Sequence, residues 1–252
     1  MNGRADITED AFLGGRLRLR QPRKGHRAGH DAMLLAAAAD AQAGERVVEF
    51  GAGVGAAAFA LAMRVKGIAL TLVEIDEMLV ALARENAALN GLECRAIVLD
   101  VGARAEAFTA AGLAPDSADR VLMNPPFNDA ARHQPSPDRS RRAAHEADAS
   151  TLAIWVHAAR RLLKPGGTLT LIGRADGVGD LLAALGRGFG RIAILPVYPS
   201  SGAAAIRVLV RAEKGSAAPL ALLPGLVLNA ETGEPAARAE AVLRGEEALR
   251  LV

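Results

Sequence analysis

The 252-residue chain predicts an α/β fold built on a mainly parallel sheet, and three observations carry that prediction. Strand-like and helix-like stretches alternate from Val47 onward, the pattern of repeated β-α units. A glycine turn, Gly51-x-Gly53-x-Gly55, joins the first of these strands to the first helix. Three acids, Glu49, Glu74 and Asp100, fall at or beside the ends of the first three strands, where open parallel sheets bind ligands.

The elements follow in order. Residues 10–28 contain Gly14-Gly15 and then Leu17-Arg18-Leu19-Arg20, a period-two alternation that predicts a short hairpin with Arg18 and Arg20 outward. Residues 46–50 form the first core strand, and the glycines turn the chain into an Ala-rich helix over 56–65. A second strand over 69–73 closes on Glu74. Asp76 reads as the N-cap of a helix over 77–89, which Asn90-Gly91 stops with glycine in its favoured position. A third strand over 95–99 ends at Asp100, and a fourth over 119–123 leads into Asn124-Pro125-Pro126-Phe127. The polar segment 128–149 reads as a loop, too long for a simple connection. A helix over 151–163 is broken by Lys164-Pro165-Gly166-Gly167 ahead of a strand over 168–172. A helix over 178–185 precedes two late strands, 191–196 and 204–211, joined by a Pro/Gly/Ser loop. The partly apolar tail beyond Pro219 is expected to pack back on the domain. This divides the chain into a substrate-side extension (1–44), a core (45–213) and a tail (214–252).

Composition narrows the class. A hydrophobic content of 51% is enough for a full core. The net charge of +2 with a pI near 9.0 leaves room for a local basic face without requiring nucleic acid. The single cysteine, Cys94, excludes an intrachain disulfide framework and fits a reducing cytoplasm. No apolar run reaches the length of a membrane span, and Asp6, Glu9 and Asp10 near Met1 are unlike a signal peptide. His133, His145 and His157 have no metal-ligand spacing, and Trp155, among apolar neighbours, reads as a core residue.

The glycine turn alone is weak evidence, because dinucleotide sites use G-x-G-x-x-G. Here the spacing is G-x-G-x-G with Glu49 two residues before it. A carboxylate there suits an ammonium group, held directly or through water, whereas a pyrophosphate would gain nothing from it. Glu74 can accept both hydroxyls of a ribose, with Asp76 a competitor for that role, and Asp100 can accept from an adenine amino group. Each acid also has a plain reading as a solvated loop residue or helix cap. In Asn124-Pro125-Pro126-Phe127 the prolines stiffen the strand exit. Asn124 Oδ1 and the Pro125 carbonyl can then accept two N–H bonds from a planar amino group while Phe127 stacks on its ring. The competing reading is a proline-rich strand exit with Phe127 in the core.

In this order and at these spacings, Glu49, the three glycines, Glu74, Asp100, the N-P-P-F turn and Lys164-Pro-Gly-Gly167 resemble the class I S-adenosylmethionine-dependent methyltransferases over roughly residues 45–212. The resemblance implies a doubly wound, Rossmann-like sheet of seven strands, the last antiparallel, with S-adenosyl-L-methionine as cofactor. It implies cofactor contacts from Glu49, Gly51, Gly53, Gly55, Glu74, Asp100 and Asn124, and catalysis by Asn124, Pro125 and Phe127. The N-P-P-F turn is similar to that of methyltransferases acting on amino groups of adenine, cytosine, guanine or a glutamine amide.

Residues 21–35 resemble a stretch of the tRNA(Val) (adenine-N6)-methyltransferases, with His26 where that family has tyrosine and Ala28-Gly29 for a bulkier pair. Pro199-x-x-Gly202 also fits. The resemblance implies methylation of adenine N6 in tRNA or another structured RNA. Two basic arms would track phosphates: Arg18, Arg20, Arg23, Lys24 and Arg27 in front, then Arg132, Arg139, Arg141 and Arg142. Asp129, Asp138, Glu146 and Asp148 offset the second, so a solvated charged surface is the alternative. Asp31 either anchors the first arm against the pocket or caps the next helix. Two other readings stay open: protein glutamine-amide methylation, whose enzymes carry a sizeable helical N-terminal domain where this chain has about 45 residues, and a non-catalytic RNA-binding protein of the same fold. The oligomeric state is not legible.

Overall fold

The computed structural model describes residues 6–25, 27–126, 139–186 and 188–251, with 139–148 described by backbone alone. The chain opens with a hairpin, β1 (Ile7–Phe12) and β2 (Leu17–Pro22), followed by α1 (His30–Ala38). The core then runs β3 (Arg46–Phe50), α2 (Ala56–Arg64), β4 (Ala69–Glu74), α3 (Glu77–Leu89), β5 (Arg95–Val98), α4 (Ala105–Ala110) and β6 (Ala118–Met123). It continues with α5 (Arg139–Leu162), β7 (Leu163–Arg174), α6 (Val178–Leu185), β8 (Phe189–Ser200) and β9 (Arg207–Lys214). The tail adds β10 (Ala221–Leu222), β11 (Leu226–Asn229) and α7 (Ala237–Leu243).

Among the described residues the main sheet has nine strands, ordered β10-β8-β9-β7-β6-β3-β4-β5, with β11 also on β8. Without the two short tail strands it is the expected seven-stranded sheet, in which β9 alone runs antiparallel to its neighbours β7 and β8. The chain lays β3, β4 and β5 side by side, then crosses to β6 on the other flank of β3. That reversal opens a crevice beyond the carboxyl ends of β3 and β6, the place where such sheets take ligands.

Both faces of the sheet are apolar, as a parallel sheet covered by helices requires. One face packs Leu72, Leu122 and Leu209 against α1 and α2. The other packs Phe50, Val121, Met123 and Val210 against α5 and α6. Leu17 and Leu19 of the hairpin are fully buried in the first cluster, while Arg18 is exposed and Arg20 half-buried, as the alternation predicts. The tail also joins that cluster through Leu226, Ala239, Val242, Leu249 and Leu251, and the Leu249 N–H donates to the Ala37 carbonyl.

Several boundaries differ from the sequence reading. Helix α5 begins at Arg139, inside the segment read as a loop to 149. Its first turns are rich in Arg, Ala and Glu, good helix formers that carry no apolar stripe for periodicity to detect. Strand β7 begins at Leu163, with Lys164-Pro165-Gly166-Gly167 as an irregular lead-in and a register shift against β6. Strand β8 runs on to Ser200 through Pro196, a residue that cannot donate to a ladder. Pro196 is tolerated because β10 pairs only as far as Ile194 and β11 starts at Val197, leaving it between two short neighbours. The last core strand is Arg207–Lys214, three residues later than expected at each end.

Candidate active site

Strand register assembles the site. Phe50 lies level with Val73 of β4 and Met123 of β6, so Gly51, Glu74 and Asn124 occupy the next rung as the three strands end. With strands about 5 Å apart, Glu74 and Asn124 flank the glycine turn from either side. Asp100 stands two residues beyond β5, whose Val98 pairs with Glu74.

Gly51, Gly53 and Gly55 all have positive φ (62°, 54° and 87°), which side-chain-bearing residues rarely adopt. A Cβ on Gly51 would sit 2.5 Å from the Trp155 ring, whereas one on Gly53 would meet nothing within 4 Å. The turn is therefore closed at its first glycine and open to the crevice at its middle one, which suits close approach of a ligand to the backbone. Gly51→Ala is expected to lower both the melting temperature and cofactor affinity. The left-handed conformation alone costs a side chain about 1–2 kcal/mol, and Trp155 must also move. A thermal melt indistinguishable from wild type would contradict this close contact.

Glu74 is nearly buried and accepts three backbone donors. Its Oε2 accepts the Gly53 N–H at 2.8 Å, and its Oε1 accepts from Ile75 at 2.8 Å and Asp76 at 3.0 Å. A carboxylate has about four acceptor sites. One remains, so taking both ribose hydroxyls would require Glu74 to release a backbone donor. Asp76 caps α3, accepting from Met78 at 2.8 Å and Leu79 at 3.2 Å, and is committed there. Asp100 is exposed, and its Oδ1 accepts the Gly102 N–H. The neighbouring Ile75 and Val98 leave apolar side chains 64% and 47% exposed, a surface suited to a planar base that the sequence did not single out.

Glu49 lies beneath the turn, 4% exposed, with Oε2 accepting the Ala58 N–H at 2.8 Å. Helix α2 starts at Gly55 without a side-chain cap, so this distant carboxylate serves one of its unpaired N–H groups. Burial pushes the Glu49 carboxyl from its ordinary 4.5 up to about 8, the Ala58 hydrogen bond opposing and the nearby Glu74 charge adding.

Asn124 is half-buried, Pro125 buried and Pro126 exposed. Among the described residues the Asn124 side chain has no hydrogen-bond partner. Phe127 lies outside the described residues, as does Arg132, and the side chains of Arg139 and Arg141 likewise. Trp155, expected in the core, packs half-buried against the second core cluster, edge-on to Phe50 with centroids 6.5 Å apart, and also forms the wall of the turn. Nothing in an Ala-rich helix signals which way a lone tryptophan points.

Arg18, Arg20, Arg23 and Arg27 of the front basic arm are ion-paired, chiefly with acids of residues 6–10. Arg18 and Arg20 meet Glu9, Arg20 also approaches Glu85 at 3.4 Å, and Arg23 meets Asp6 at 2.8 Å. Arg27 binds Asp10 at 2.6 Å, Thr8 and the Pro22 carbonyl, which turns it toward the hairpin. Lys24 is exposed. Asp31 forms an ion pair with Arg207 at 2.9 Å, tying the start of α1 to β9, while Gly29 holds the N-cap position.

A switch-point crevice, a glycine turn open at Gly53 and an acid closing the next strand fit a class I S-adenosylmethionine-dependent methyltransferase. Comparison with known proteins agrees. The chain belongs to the methyltransferase small domain family, whose model matches residues 28–195. A tRNA1(Val) (adenine(37)-N6)-methyltransferase of Porphyromonas gingivalis is 31% identical over 159 residues, 62% of this chain and 61% of that protein. The match thus spans less than two thirds of that curated relative's length. Among solved structures, a protein of Agrobacterium tumefaciens described as a predicted O-methyltransferase is 30% identical with a TM-score of 0.73, covering 87% of this chain and 98% of its own. The Thermus thermophilus 16S rRNA N2 G1207 methyltransferase, in complex with AdoMet and guanosine, shares the fold at 20% identity and a TM-score of 0.55, covering 82% of this chain and 50% of its own.

Proposed function

We propose that this protein methylates N6 of adenine in structured RNA, with tRNA as the substrate class. The observation that carries the proposal is the Asn124-Pro125-Pro126 exit from β6, level with Gly51 and Glu74 and with the Asn124 amide uncommitted among the described residues. The similarity to proteins named as tRNA1(Val) adenine-N6 methyltransferases supports it.

In this reading Gly51, Gly53 and Gly55 cradle the cofactor. Glu49 faces its ammonium end, Glu74 its ribose, and Asp100 its adenine. When bound, the cofactor supplies an electrophilic methyl group on a sulfonium. The exocyclic nitrogen of adenine is a poor nucleophile because its lone pair is delocalised into the ring. Asn124 Oδ1 and the Pro125 carbonyl accept its two N–H bonds, turning the lone pair out of conjugation and toward the methyl, with Phe127 as the stacking platform. Fixed orientation supplies most of the rate, and no base is needed first because the nitrogen becomes acidic once alkylated. The accepting base leaves its stack to enter the pocket.

Arg23, Lys24, Arg27, Asp31, Arg139 and Arg141 belong to the RNA side of the proposal. Exposed ion pairs such as Arg18–Glu9 and Arg23–Asp6 contribute about 0–1 kcal/mol each. A phosphate backbone therefore displaces those carboxylates at small cost. The described residues hold no helix long and apolar enough to cross a membrane, and an RNA substrate together with the single unpaired Cys94 favours the cytoplasm as the working compartment.

Purified protein incubated with labelled cofactor and tRNA lacking the modification is expected to place label in the RNA. Label in a protein substrate, or transfer to a hydroxyl compound with the RNA untouched, would overturn the assignment.

A further inference from the structure

Strand β2 has a free outer edge, and α3 fills it with side chains. The Arg18 N–H donates to Asn90 Oδ1 at 2.9 Å, and Asn90 Nδ2 returns a bond to the Arg18 carbonyl at 2.7 Å. The Arg20 N–H donates to Asn86 Oδ1 at 2.7 Å, and Asn86 Nδ2 returns one to the Arg20 carbonyl at 3.0 Å. Residues four apart on a helix are spaced about 6 Å along its axis, and alternate residues of a strand about 6.8 Å. Two carboxamides at that spacing therefore imitate the neighbouring strand that β2 lacks.

Asn86 does one thing more. It is fully buried, and its second Nδ2 hydrogen goes to the Val54 carbonyl at 3.1 Å, inside the glycine turn. The turn is pinned at three consecutive residues: the Gly53 N–H by Glu74, the Val54 carbonyl by Asn86, and the Gly55 N–H by the Ala52 carbonyl. Of these anchors, Asn86 alone reaches the hairpin. The same amide group holds the backbone of the cofactor turn and the backbone of the arm that leads to Arg23 and Arg27.

We propose that Asn86 is a positioning residue that fixes the cofactor turn through Val54 and links loading of that turn to docking of the β1–β2 hairpin. Ligand in the turn tightens the Val54 bond, which holds the Asn86 amide in the orientation that pairs with Arg20. The inference rests on the cofactor assignment and is independent of the methyl acceptor.

Hydrogen exchange with saturating S-adenosylhomocysteine tests it. In wild type, amide exchange at Arg18 and Arg20 is expected to slow about fivefold or more on ligand binding, as a coupling of ordinary size produces. Protection of residues 51–58 reports occupancy in the same sample. Asn90→Ala should speed Arg18 exchange with and without ligand yet keep the response at Arg20. Asn86→Ala should lose the response at Arg20 while the turn remains protected. A protected turn with unchanged hairpin exchange in wild type, or a response that survives in Asn86→Ala, would overturn the proposal. The wild-type comparison decides even if Asn86→Ala does not fold. A turn left unprotected would instead refute the cofactor assignment.

Discussion

Replacing Asn124 with alanine is expected to leave the protein folded and the cofactor bound while turnover falls by roughly a hundredfold or more, the loss that follows from mispositioning a reacting group. Asn124 follows the last residue of β6, and Met123 keeps its backbone pairing with Phe50 and Leu171 whatever side chain comes next. The amide makes no bond among the described residues, so its removal strands no buried partner there. In the proposed reading, affinity for the cofactor rests chiefly on the turn and on Glu49 and Glu74, which the substitution does not touch. What disappears, in that reading, is an acceptor for an N–H of the substrate. Calorimetry with the cofactor and a single-turnover methylation assay separate the two effects. Equal losses of affinity and turnover would mean that Asn124 holds the site together instead of orienting the acceptor.

Glu49→Gln is expected to strengthen the ligand-free fold at alkaline pH and to weaken the cofactor. The sign follows from the carboxyl being held near 8 when folded and near 4.5 when not. Between those values the folded state keeps a proton that the unfolded chain has released. The contribution of Glu49 is thus fully present below about 4.5 and is lost as pH rises toward and through 8, at up to about 1.4 kcal/mol per pH unit. Glutamine removes that dependence and can still accept the Ala58 N–H. In the proposed reading the cofactor's ammonium favours the ionised carboxylate, so binding to wild type below pH 8 is expected to release a proton. Affinity should then rise with pH up to about that value. Losing a charged hydrogen bond should cost the variant roughly tenfold to a hundredfold in affinity above pH 8. Titration calorimetry in buffers of different ionisation heat measures the proton. PH-independent binding with no proton released would remove Glu49 from the ammonium end.

The core was legible where local signals and tertiary demands coincide. Asp76 and Asn90-Gly91 bound a helix at 77–89 because capping is local chemistry, and the apolar strand at 46–50 ends where the glycines begin. The start of α5 was not legible because a helix that is polar all round has no period to detect. Nor were β10 and β11, two and four residues long, which exist because β8 offers them an edge. Residue types and order placed Glu74 and Asn124 at neighbouring strand ends, as the register does, since strand ends converge in any sheet of this kind. The sequence did not show that Glu74 would hold the Gly53 N–H, or that Glu49 would serve α2 from below. Asn86 carried no signal at all: an asparagine in a helix looks solvent-facing until the hairpin 66 residues earlier is folded onto it.

The most direct test of the central claim, that the turn after β6 presents an exocyclic nitrogen to the cofactor's methyl, is nucleoside mass spectrometry of tRNA methylated by the purified protein. N6-methyladenosine is the predicted product, absent when Asn124→Ala replaces wild type. Methyl on a ring nitrogen or a ribose hydroxyl, or N6-methyladenosine formed at an undiminished rate by Asn124→Ala, would contradict it.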